Sequence, residues 1–84
     1  MYDYGVYPKA DRDVFEKQCE KLEKCVPKLQ KGTLHSNFFC DKLIQEYEHP
    51  QGRVQVVLDE LSGEVCVESE LDLTPYHALL RLKW

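Results

Sequence analysis

The chain has 84 residues, 43% of them apolar and 31% charged, with 15 acidic and 11 basic side chains and a formal net charge of −4. That length suits one small domain, residues 1–84, and leaves few residues to line a deep cleft. The charge balance makes nucleic acid an unfavourable partner, because phosphate binding needs a positive field.

No run of about 18 apolar residues is present to cross a bilayer, so no membrane role is expected. The opening Met1-Tyr2-Asp3-Tyr4 lacks the basic segment followed by an apolar one that marks a secretory leader. A soluble, cytoplasmic setting follows as the expectation.

Tyr2, Tyr4 and Val6 alternate, which fits a short N-terminal strand or extended arm. Tyr2, Tyr4 and Tyr7 form a local aromatic excess. Such side chains either pack over one end of the core or serve as contact residues, since tyrosine offers area at low entropic cost.

Residues 11–26 predict a first helix. Asp11 and Asp13 are both good N-cap types, and Asp13 with Glu16 has capping-box spacing. Phe15, Cys19, Leu22 and Val26 make one apolar stripe. Pro27 ends the helix, because it removes a donor and pushes Val26 out of helical geometry.

Residues 36–48 predict a second helix, with Ser36 as N-cap and Phe39, Cys40, Leu43, Ile44 and Tyr47 as its apolar face. His49-Pro50-Gln51-Gly52 is a strong turn. Residues 53–71 predict a β-hairpin about Ser62-Gly63, with Val54, Val56, Leu58, Val65 and Val67 inward. A two-residue loop pairs Leu58 with Val67 and a four-residue loop pairs it with Val65; either keeps the same residues on one face.

At the C-terminus, Leu80, Leu82 and Trp84 alternate with Arg81 and Lys83, so residues 76–84 predict a third strand, although Thr74-Pro75 is a good helix start. The expected fold class is therefore α+β: two N-terminal helices packed on one face of a three-stranded antiparallel sheet, α-α-β-β-β, with room for a short N-terminal strand.

Cys19, Cys25, Cys40 and Cys66 read as reduced thiols. Cys19 and Cys25 rise about 9 Å apart along a helix, too far for a bond within it. Neither the cysteines nor His35, His49 and His77 show the clustered spacing of a zinc site, and no metal or cofactor is expected. The nearest Cys–His combination, Cys40-Asp41 with His35, lacks the signature of an activated nucleophile. The pairs Asp59–Glu60 and Glu68–Glu70 fall on a turn and an outer strand face, where water keeps both members ionised.

Val57, Cys66 and Leu79 are expected on the outer sheet face, among Glu68, Glu70 and Arg81. They form an apolar patch unless the tyrosines cover them, and Trp84 is a candidate anchor. The candidate binding residues are thus Tyr2, Tyr4, Tyr7, Val57, Cys66, Glu68, Glu70, Leu79 and Trp84. The leading expectation is a small acidic non-enzymatic protein-binding module, of the inhibitor, immunity-protein, antitoxin or adaptor kind. Its partner would be another protein with a basic surface, and edge-strand homodimerisation is compatible with the pattern. The alternative is a small-molecule-binding domain or small cysteine-dependent enzyme with a pocket near Cys40, Tyr47 and His49.

Overall fold

The computed structural model describes residues 2–37 and 41–73. The chain order is β1 (Tyr2–Tyr7), α1 (Arg12–Cys25), β2 (Gln30–Asn37), β3 (Lys42–His49), β4 (Gly52–Asp59) and β5 (Glu64–Ser69). The strands form one five-stranded sheet in the order β1-β5-β4-β3-β2, antiparallel throughout.

The first helix forms where its stripe requires. Asp11 is the N-cap, and its carboxylate accepts from the backbone N–H groups of Asp13 (2.9 Å) and Val14 (3.3 Å). That satisfies two of the donors a helix start leaves unpaired. At the other end Val26 is already extended ahead of Pro27, and Lys28 takes a positive φ of 64° to turn the chain into β2. Phe15, Cys19, Leu22 and Val26 are all buried, as is Val14.

These residues pack on the inner sheet face, chiefly over β4. Register defines that face: Tyr47 pairs with Val54 and Val54 with Ser69; Gln45 pairs with Val56 and Val56 with Val67; Leu43 pairs with Leu58 and Leu58 with Val65. The Leu58–Val65 pairing selects the four-residue connection between β4 and β5. Asp59 caps that turn, accepting from the N–H groups of Leu61 (3.0 Å) and Ser62 (3.2 Å). Beyond β5 the buried Ser69 hydroxyl donates to the Leu71 carbonyl and accepts from the Leu71 N–H.

The expected two-helix, three-stranded arrangement is overturned. Among the described residues there is one helix, and residues 42–48 of the expected second helix belong to strand β3. Leu43, Ile44 and Tyr47 satisfy a helical period locally. The longer pattern is also period 2, with Leu43, Gln45 and Tyr47 inward and Ile44, Glu46 and Glu48 outward. Pairing with β4 on one side and β2 on the other decides between them, because a strand position satisfies backbone groups through neighbours that a local reading does not contain.

Residues 30–37, with few apolar side chains, form the edge strand β2, which includes Ser36, the expected helix N-cap. The N-terminal arm is a full sheet member, β1, paired with β5. The expected third strand at 76–84 lies outside the described residues.

Two buried glutamines meet opposite fates. Gln45, 4% exposed, donates through Nε2 to the carbonyls of Gly32 (3.1 Å), Thr33 (3.4 Å) and Glu46 (3.0 Å). It ties down the β2 irregularity between Lys31 and Leu34. Gln18 on α1 is fully buried, and among the described residues neither its Oε1 nor its Nε2 has a partner. An unsatisfied buried amide costs about 1–3 kcal/mol. Gln18→Met keeps an unbranched side chain of similar length and removes that cost. It should raise unfolding stability in urea by about 1 kcal/mol; a loss of stability instead would show that the carboxamide is engaged.

Candidate functional site

The outer face of the sheet carries the concentrated charge. Register places one row across all five strands: His35, Ile44, Val57, Cys66 and Gly5. The next row is Glu46, Gln55, Glu68 and Asp3. Beyond it, Glu48 pairs with Arg53. Glu70 joins Arg53 on the other side, its N–H donating to the Arg53 carbonyl (2.8 Å) and its carboxylate accepting from the Arg53 N–H (2.8 Å).

Glu46, Glu48, Glu68 and Glu70 therefore line one groove of about 560 Å³, with Arg53 and Gln55 on its floor and Gln30, Gly32 and Thr33 of the β2 edge along its side. The backbone of Lys31 also borders this groove, but its ammonium turns toward the helix, 3.8 Å from the Glu23 carboxylate. The groove lining so holds four glutamates and one arginine.

At the groove's end the His35 Nε2 lies 2.6 Å from Glu46 Oε2. Lys42 and Asp59 pair at 3.7 Å near the far end of the sheet. The Asp59 carboxyl is held below the usual carboxylate range, first by the Ser62 backbone N–H.

A second, smaller hollow of about 280 Å³ lies on the opposite face, between α1 and β2, lined by Phe15, Cys19, Leu34, Leu43 and Gln45 and by the charged Arg12, Glu16, Glu20, Glu23 and Lys31. Behind it the fully buried Tyr47 hydroxyl donates to Glu23 Oε2 at 2.7 Å. Burial, then the carboxylate it serves, raises the Tyr47 hydroxyl far above its ordinary value. Burial also pushes the Cys19 thiol up to about 11. On the outer face, burial followed by the charges of Asp3 and Glu68 pushes Cys66 up to about 12. Neither thiol supplies a thiolate near neutral pH, so neither is an activated nucleophile.

The expected site residues are dispersed. Tyr2, Tyr4 and Tyr7 pair with Ser69, Val67 and Val65, which places them on the helix side of the sheet, away from Val57 and Cys66. Tyr4 and Tyr7 pack against the core. The Tyr4 hydroxyl donates to Asp72 and accepts from the Leu73 N–H, and its ring stacks on that of Tyr2. Val57 and Cys66 do occupy the outer face, but at 4% and 8% exposure they offer no open patch.

Glu68 and Glu70 fall in the groove as outer-face residues. Leu79, Trp84 and Cys40 lie outside the described residues. Of the alternative pocket, Tyr47 is a core residue and His49 is the last residue of β3, its Nδ1 accepting from the Gln51 N–H in the turn that follows.

Glu46, Glu48 and Arg53 are the groove residues that sequence reasoning did not single out. Period-2 alternation over residues 42–49 was the signal that could have found the glutamates. Among the described residues no three His, Cys, Asp or Glu side chains converge as metal ligands, and no helix is long and apolar enough to cross a membrane. Comparison with protein-family models, curated proteins and solved structures finds no match for this chain.

The thiols give a direct test of the chemistry. Cys25 is exposed, whereas Cys19 and Cys66 are buried. Alkylation at neutral pH, followed by peptide mapping, should label Cys25 ahead of Cys19 and Cys66. Both buried thiols titrate above their ordinary value of 9.0, so the folded state holds protons that the unfolded chain releases. Their contribution to stability is constant below that value and declines as pH rises from there toward about 11 and 12. A selectively fast Cys19 or Cys66, or stability that climbs over that alkaline range, would contradict this assignment.

Proposed function

We propose that this chain is a small non-enzymatic protein-binding module whose acidic outer sheet face receives a basic surface of another protein. The observation that carries the reading is the convergence of Glu46, Glu48, Glu68 and Glu70 on one groove with Arg53 as its counter-charge. A face so biased raises the encounter rate of a cationic partner and penalises anionic ones. A second copy of the chain presents the same acidic face, so self-association face to face is disfavoured by like charge. The inhibitor, immunity-protein, antitoxin and adaptor roles all fit such a surface.

The protonated, packed thiols of Cys19 and Cys66 and the free Cys25 suit a reducing compartment, and we place the protein in the cytoplasm on that ground. A small-molecule or cysteine-enzyme role has less support, because the groove is wide and charged and the buried thiols are raised.

The test is capture from source extract by the wild-type protein and by a Glu48→Lys/Glu68→Lys variant side by side, at low and high salt. A stoichiometric partner with a basic surface should be held by the wild type, lost from the variant by about tenfold in affinity, and released by salt. A partner held equally by both proteins, or none at either salt, would sink the acidic-face reading.

A further inference from the structure

We infer that the exposed edge strand β2 is where the partner docks: it takes an extended segment as an additional strand, with basic side chains alternating with apolar ones. This deepens the proposed function and rests on its reading of a basic partner.

Strand β2 pairs with β3 alone, and its residues 30–36 are all exposed. Among the described residues no element lies along its outer side, so every second residue turns its backbone donor and acceptor to an open edge. Two hollows meet this strand from opposite faces. The acidic groove is bordered by Gln30, Lys31, Gly32 and Thr33. The helix-side hollow is bordered by Lys31 and Leu34, with Phe15, Cys19 and Leu43 lining it and charged side chains of α1 (Arg12, Glu16, Glu20) along its other rim. Leu34 is 52% exposed, a large apolar side chain at the mouth of that hollow. It stays open because α1 lies chiefly over β4 rather than over the β2 edge.

A strand added to β2 would lie about 4.8 Å away and send successive side chains to opposite faces. Those on the outer face approach Glu46 and Glu48, two strands in at about 10 Å, a gap that a lysine or arginine and a glutamate span between them. Those on the inner face cover Leu34 and enter the hollow. Main-chain bonds then supply affinity, and the two hollows supply the alternating pattern.

The irregularity between Lys31 and Leu34 bends the edge but leaves regular pairing from Leu34 to Asn37. A second copy of this chain is the poorer occupant, since β2-to-β2 pairing brings Glu46 and Glu48 of both copies to one composite sheet. The opposite edge, β1, borders neither hollow.

The probe is a short synthetic peptide of alternating lysine and valine, compared with an isomer carrying the same residues in two blocks and with a version N-methylated at alternate backbone nitrogens. Binding to the full chain is read by calorimetry, and backbone amide exchange by NMR. The alternating peptide should bind about tenfold more tightly than the block isomer. It should slow exchange at alternate positions of Leu34–Asn37 and lose its advantage on N-methylation. Leu34→Asp should weaken the alternating peptide and leave the block isomer unchanged.

Equal, salt-sensitive binding of all three peptides with unchanged β2 exchange would overturn strand addition while leaving the acidic-face reading intact. No salt-sensitive binding by any of them would overturn both.

Discussion

The packing of α1 on the inner sheet face is the constraint on which the rest of this structure depends. Strand β1 sits at one edge of the sheet and β2 at the other, so the segment between them must carry the chain across the sheet. The helix runs along the strands rather than across them. Arg12 at its start lies by Ser36, Lys42 and Leu43, and Cys19 and Glu23 further on meet the Tyr47 hydroxyl toward the other end of β3. Lying so, it sets Phe15, Cys19, Leu22 and Val26 into one core with Tyr47, Val54, Val56 and Leu58.

That crossing also decides which side of the sheet is apolar. With α1 on one face, Val54, Val56, Leu58, Val65 and Val67 must point toward it, and the alternate residues of the same strands must point away. The acidic surplus of the chain is then sorted by pleat rather than by sequence neighbourhood. Glu46 and Glu48 from β3 and Glu68 and Glu70 at the end of β5 are far apart along the chain, yet they share one groove because β4 holds the two strands in register. The groove is a consequence of strand order, which a modest net charge of −4 does not disclose.

This explains what was legible beforehand and what was not. Helix α1 was readable because its cap, its stripe and its terminating Pro27 are all local signals. The β4–β5 hairpin was readable for the same reason, since its strands alternate about a short turn. Strand β3 was not: Leu43, Ile44 and Tyr47 satisfy the helical and the strand period together, and only pairing with residues distant in sequence separates them. Strand β2 was hidden by its composition. As an edge strand it packs against β3 on one side only, so Gln30, Lys31, Thr33, His35 and Ser36 can all be polar without harm. Misreading these two strands removed half of the groove from view. Glu68 and Glu70 were found without the partners that make them a site.

The buried glutamines connect the core to the open edge of the sheet. Gln45 and Gln18 have the same side chain and nearly the same burial, and among the described residues only Gln45 is bonded. Its amide reaches the carbonyls of Gly32 and Thr33, groups that the local irregularity in β2 would otherwise leave without a ladder partner. A buried donor so placed repays its desolvation only if the edge keeps that bend. The bend, in turn, interrupts what would be a uniform strand edge, the usual template for uncontrolled pairing between chains. Gln45 therefore sets the shape of the edge from inside the core. A shaped edge, with an acidic groove on one face and on the other a hollow of apolar side chains rimmed by charge, discriminates among the strands that could join it, which a flat one does not.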